Sequence, residues 1–94
     1  MKLKNLDMLQ TISPMGVQAI VDFGKYELSI VKNEASYGNK QDLYEIAVFK
    51  GNDQVELPGI TNEGDTVKGW LTSSDVDAIL TKMYTITGTE GTQI

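Results

Sequence analysis

Two stretches of the chain alternate apolar and polar residues on either side of a glycine. From residue 16 to 23, Val17, Ala19, Val21 and Phe23 fall on one side of a period of two, and Gln18, Ile20 and Asp22 on the other. From 26 to 32, Tyr26, Leu28 and Ile30 alternate with Glu27 and Ser29. Period two is the spacing of a half-buried strand. Between them, Gly24-Lys25 supplies a two-residue turn with glycine first, as a type II′ hairpin requires. Residues 43–50 read as a third strand, with Tyr44, Ile46 and Val48 inward and Glu45 outward. This strand is apolar on both faces apart from Glu45, the pattern of a central strand or of an interface. Lys50-Gly51-Asn52-Asp53 forms its turn, and residues 54–57 a short fourth strand stopped by Pro58-Gly59.

Helical spacing occurs at the two ends. Leu6, Met8, Leu9 and Ile12 share one arc at 100° per residue, which predicts a short helix over 3–12, ended by Pro14. Val76, Ile79, Leu80, Met83 and Tyr84 follow the i, i+3, i+4, i+7, i+8 pattern of an amphipathic helix. Thr72, Ser73 and Ser74 are its N-cap candidates, Asp75 and Asp77 sit in its first turn, and Gly88 stops it after about Thr85 or Ile86. Residues 67–71 read as a short extended segment delivering Trp70 to the core. Residues 33–42 and 60–65 read as loops, and residues 89–94 as a frayed tail. The order helix, four strands, helix predicts one α+β domain over 1–94. Its centre is a four-stranded antiparallel meander sheet packed against the C-terminal helix, with the short N-terminal helix beside it.

Composition narrows the chemistry. The 94 residues include no Cys and no His, and all 8 basic residues are Lys. No disulfide, thiol nucleophile, imidazole base or His-ligated metal is therefore available, nor the planar guanidinium fork that grips phosphate. Catalysis would have to rest on carboxylate pairs, or on a Lys acting alone or activating Ser or Thr. A net charge of -5 disfavours attraction to nucleic-acid backbones, so no direct nucleic-acid binding is expected. No apolar run reaches 18 residues, so no membrane span is expected. The basic start Met1-Lys2-Leu3-Lys4 leads into a segment interrupted by Asn5, Asp7 and Gln10, unlike a secretory signal, and the cytoplasm is the expected compartment.

Each candidate for chemistry has a structural alternative. Asp75 and Asp77 stand two residues apart on a helix and diverge by about 200°, so they are read as partners of the helix dipole rather than as ligands of one ion. Asn62-Glu63-Gly64-Asp65 offers oxygen ligands for Ca²⁺ but reads as a solvated turn. Gly24-Lys25 lacks the first glycine and the Ser/Thr of a phosphate loop and is set aside. Trp70 could stack on a base, but Lys68 is its only cation nearby in sequence, and it is read as a core anchor between helix and sheet. In the polar loop, Ser36, Tyr37, Gly38, Asn39 and Lys40 leave two readings open. Tyr37, Asn39 and Lys40 form an interaction loop, or Tyr37 folds back over the sheet edge. No metal ligand, cofactor-binding residue or catalytic residue is assigned.

The segments Leu57-Pro58-Gly59-Ile60-Thr61, Gly64-Asp65-Thr66-Val67-Lys68-Gly69-Trp70-Leu71 and Asp75-Val76-Asp77-Ala78-Ile79 carry a resemblance. So do Lys82-Met83-Tyr84-Thr85-Ile86-Thr87-Gly88, Tyr26-Glu27-Leu28-Ser29-Ile30-Val31 and Tyr37-Gly38. Together they resemble small proteins of marine T4-like phages, of the cyanophage type. The resemblance implies expression inside an infected bacterium and carries over no catalytic residue, ligand or cofactor.

The function expected is that of a non-enzymatic protein-interaction module that self-associates as a homodimer, with a host or phage protein as a further possible partner. The alternative is an acidic inhibitor occupying a nucleic-acid site on a host enzyme, which requires Glu27, Glu45, Asp53 and Glu56 on one face. Lys25, Lys32 and Lys50 spread evenly among them would defeat it. An enzyme relying on Lys or carboxylates alone is the remaining possibility and requires a pocket holding two such groups with strongly shifted pKa values.

Overall fold

The computed structural model describes residues 1–11, 16–33 and 43–94. Its centre is the expected hairpin. Strand β2 (Gly16–Asp22) runs antiparallel to β3 (Glu27–Asn33), pairing Ala19 with Ile30 and Val21 with Leu28. Gly24 supplies the positive φ (84°) of the connecting turn, and Asp22 Oδ1 accepts its N–H at 2.7 Å. Strand β4 (Tyr44–Lys50) pairs with β3, opposing Ile46 to Ile30 and Val48 to Leu28. Period two then places Val21, Leu28, Ile30, Ile46 and Val48 on one face, each fully buried.

That face is covered by helix α1 (Ser73–Thr87), through Val76, Ile79, Leu80 and Met83. Thr72 caps the helix reciprocally. Its Oγ1 accepts the Asp75 N–H at 3.1 Å, and Asp75 Oδ2 accepts the Thr72 N–H at 2.9 Å. Gly88 ends the helix in the left-handed conformation, donating to Tyr84 O. The helix runs as far as Thr87, and in its β-branched last turns the hydroxyls of Thr81, Thr85 and Thr87 donate to carbonyls four residues back.

Both outer positions of the sheet are filled by two short strands laid end to end. Beyond β4, strand β5 (Asp53–Val55) pairs with its C-terminal part, and β6 (Val67–Leu71) with its N-terminal part. Beyond β2, strand β1 (Leu9–Thr11) pairs with residues 16–18, and β7 (Thr92–Gln93) with residues 21–22. The sheet is antiparallel throughout, with β1-β2-β3-β4-β5 in order, so the α+β class and the helix-on-sheet packing are as expected. Among the described residues it has seven strands rather than four.

Three further expectations are corrected. The N-terminal helix over 3–12 is a single 3₁₀ turn, Leu3–Asn5, followed by β1. An isolated helix this short gains too little to persist. Asn5 Oδ1 instead accepts the Lys2 N–H at 3.0 Å, and residues 9–11 pair with the open edge of β2. The tail at 89–94 is not frayed. Thr89 Oγ1 donates to Phe23 O at 2.8 Å, β7 pairs with β2, and Ile94 N donates to Ile20 O at 2.9 Å.

The third correction concerns Trp70, which is 55% exposed while Leu71 is 5% exposed. Leu71 opposes Tyr44 and Lys68 opposes Ile46, so Gly69 and Trp70 together face the single residue Glu45. This β-bulge shifts the alternation by one and gives Leu71 the core position that regular pairing would have assigned to Trp70. Trp70 sits at φ 61°, the one non-glycine residue with positive φ among those described.

Candidate functional site: the outer face of the sheet

Among the described residues, helix α1 covers one of the two faces of the sheet. Along the outer face the register lines up Ile94, Ile20, Ser29, Ala47 and Val67 as a band crossing the whole sheet. On one side of it run Thr92, Asp22, Glu27, Phe49 and Gln54; on the other, Leu9, Gln18, Val31 and Glu45. Leu9 and Ile94 are 57% and 66% exposed, and Ile20, Val31, Ala47 and Phe49 are half-buried. At the seam where β7 meets β1, Leu9, Gln18, Ile20 and Ile94 line a shallow cleft of about 250 Å³. Ser29 is the buried polar residue of the band, and Gln18 Nε2 donates to its Oγ at 2.8 Å.

Charge is sorted between the two faces. Asp22, Glu27 and Glu45 lie at outer positions. The strand lysines lie at positions of the opposite parity: Lys32 opposes Val17, Lys50 opposes Asp53 and Lys68 opposes Ile46. Lys32 Nζ stands 5.7 Å from the centre of the Tyr44 ring on that side. Among the described residues, no lysine shares the outer face of β2, β3 or β4 with the three carboxylates. Burial holds the Glu45 carboxyl above its ordinary pKa.

The acidic set expected from the sequence is brought together only in part. Glu27 and Glu45 share the outer face, Lys32 and Lys50 lie at positions of the opposite parity, and Lys25 stands in the turn before Glu27. Asp53 instead faces Lys50 across the β4–β5 turn, and Glu56 Oε2 accepts the Gly64 N–H at 2.6 Å, closing the loop between β5 and β6. Asp22 joins the set through its position opposite Glu27; the signal was present in the hairpin register, which pairs residues summing to 49.

The other candidates resolve into structural roles. Asp75 completes the helix cap, and hydrogen bonds from Thr72 hold its carboxyl below its usual pKa, with a smaller contribution from Lys68. Asp77 Oδ1 accepts the Leu3 N–H at 2.7 Å and ties the 3₁₀ turn to the helix. Residues 62–65 close a turn through Asp65 N donating to Asn62 O. Among the described residues, no three acidic side chains converge to hold a metal ion, and no helix is long and apolar enough to cross a membrane. Tyr37, Asn39 and Lys40 lie outside the described residues.

Beside β6, the exposed Trp70 borders a groove of about 340 Å³ that also takes in Lys68, Ala78, Ile79 and Lys82. Sequence reasoning missed this constellation because Lys82 lies two helical turns beyond Asp75 and comes to line the same groove as Trp70 only through the packing of α1 on the sheet.

No family model, characterised protein or solved structure matches the chain.

Proposed function

We propose that the protein is a non-enzymatic interaction module whose working surface is the outer face of its sheet. The observation that carries this reading is the apolar band Ile94–Ile20–Ser29–Ala47–Val67, flanked by Asp22, Glu27 and Glu45 without a described lysine among them. Contiguous apolar surface of this kind marks contact sites. Its one-signed charge favours a partner that combines apolar side chains with lysine or arginine. The absence of His, Cys and Arg supports a non-enzymatic role. The resemblance to proteins of T4-like phages supports an infected bacterium as the setting.

A second copy of the chain is the less favoured occupant. Face-to-face pairing would set Asp22, Glu27 and Glu45 against their own kind, and the edges offer only strands of two to five residues. The test is capture with wild-type protein and with Ile20→Lys, using Lys4→Ala as a control remote from the face. We expect a basic partner retained by wild type and by Lys4→Ala, and lost with Ile20→Lys in a protein that still melts cooperatively. Equal recovery with Ile20→Lys would reject the face. A dimer in solution that Ile20→Lys dissociates would replace the heterologous partner by self-association.

The co-location of Asp22, Glu27 and Glu45 also favours a second reading, an acidic inhibitor that occupies a nucleic-acid site. It predicts competition with nucleic acid for the captured partner, weakened when Glu27 and Glu45 are both changed to Gln.

A further inference from the structure

Large aromatic side chains are seldom left half in water on a strained backbone. Trp70 is 55% exposed and holds a left-handed φ of 61°, a conformation that bulky residues rarely adopt and that clusters at functional sites. The bulge that produces it gives the core place to Leu71 and leaves the indole at the mouth of the groove between β6 and α1. Ala78 and Ile79 supply apolar wall from the helix, and the side chains of Lys68 and Lys82 also line the groove. Lys82 Nζ donates to Gly59 O at a long 3.4 Å, which steadies the side chain without neutralising it.

We infer that this groove binds a small ligand joining a planar ring to an anionic group, with the ring against Trp70 and the anion between Lys68 and Lys82. The volume of about 340 Å³ suits a molecule of mononucleotide size. Indole faces accept rings of any base by stacking, and the paired lysines add the charge that stacking alone lacks. The helix N-terminus is not the anion holder, because Thr72 and Asp75 already occupy it. The Asp75 carboxylate, the one negative group lining the groove, is turned onto the Thr72 N–H and stays charged, leaving the lysines in excess by one.

A phosphate-bearing nucleotide and an aromatic carboxylate share this chemistry, and the test separates them. Trp70 is the only tryptophan, so its fluorescence reports on the groove alone. Adenosine monophosphate and benzoate are the two anionic probes; adenosine and inorganic phosphate are the controls lacking one half of the chemistry. Saturable quenching is expected from at least one anionic probe, with affinity in the millimolar range or tighter, and the stronger probe identifies the source. Adenosine should bind about tenfold more weakly than its monophosphate, and phosphate should leave the signal unchanged. Lys68→Ala and Lys82→Ala should each weaken binding by roughly three- to tenfold. Trp70→Asn keeps a residue that tolerates the left-handed backbone, and ligand-detected NMR should show binding lost from a folded protein. Three results would overturn the inference: no saturable quenching by either anionic probe up to about 10 mM, adenosine binding as well as its monophosphate, or affinity indifferent to both lysine changes.

Discussion

The side-chain amide of Gln93 pairs with the backbone of Asp7 in both directions. Its Oε1 accepts the Asp7 N–H at 2.8 Å and its Nε2 donates to Asp7 O. Residues 86 apart are thereby joined where β7 and β1 meet end to end on the edge of β2, and the side chain does the work of a missing stretch of strand.

Removing that amide should loosen the composite edge. Gln93→Ala is expected to cost about 1 kcal/mol, the usual net worth of such bonds near the surface. Gln93→Glu should cost more, because it sets a negatively charged carboxylate oxygen against the Asp7 carbonyl where the amide donated. Urea denaturation of the three proteins checks the order.

Gly91 is required for close approach. A Cβ placed there would stand 2.8 Å from Phe23 Cε1 and closer still to Val21 Cγ1, both on fully buried side chains. Gly91→Ala should therefore destabilise by about 1–3 kcal/mol through overpacking. Hydrogen exchange at Gln93 and Ile94 should rise with it. Unchanged stability would mean that residues 89–94 can lift off the sheet without loss.

Leu71 and Trp70 have exchanged the roles their sizes suggest. Leu71→Ala should cost about 2–4 kcal/mol, as for a buried leucine. Trp70→Asn should cost distinctly less, since the indole is half in water and asparagine tolerates φ 61°. Thermal or urea melts of the two variants distinguish this from a core-anchor role, which predicts the reverse order.

Two carboxyls predict opposite pH responses. Asp75 is held below its ordinary pKa by its bonds from Thr72, so its stabilising effect is present above the unfolded value and is lost as pH falls through the folded one. Thr72→Ala should cost about 1 kcal/mol at neutral pH and less in acid. Glu45 is raised by burial, so its protonated form suits the fold and its ionisation costs stability as pH rises through the folded value. Glu45→Gln should stabilise at neutral pH, with the gain shrinking as pH falls towards the ordinary glutamate range. Denaturation midpoints measured across that range check both signs.

The chain's own pattern was enough for the β2–β3 hairpin, for β4 and for helix α1, because each buries a stripe at its own period. Tyr26–Lys32 and Val76–Met83 carry that signal in consecutive residues, and Thr72 and Gly88 mark the helix ends through local backbone chemistry. The composite edges carry no such signal. Leu9–Thr11 and Thr92–Gln93 are strands because β2 has backbone groups to satisfy, and main-chain pairing leaves little trace in side-chain sequence. The candidate surfaces divide in the same way. Alternation alone put Ile20, Glu27 and Glu45 on the face away from the core. Which of Trp70 and Leu71 faces the core depended on one extra residue in β6 opposite Glu45, and a one-residue shift reverses every side chain beyond it. Tertiary structure alone decided that Trp70 stands half in water at a groove that Lys82 also lines, because the pairing of β6 with β4 and the seat of α1 on the sheet are long-range choices.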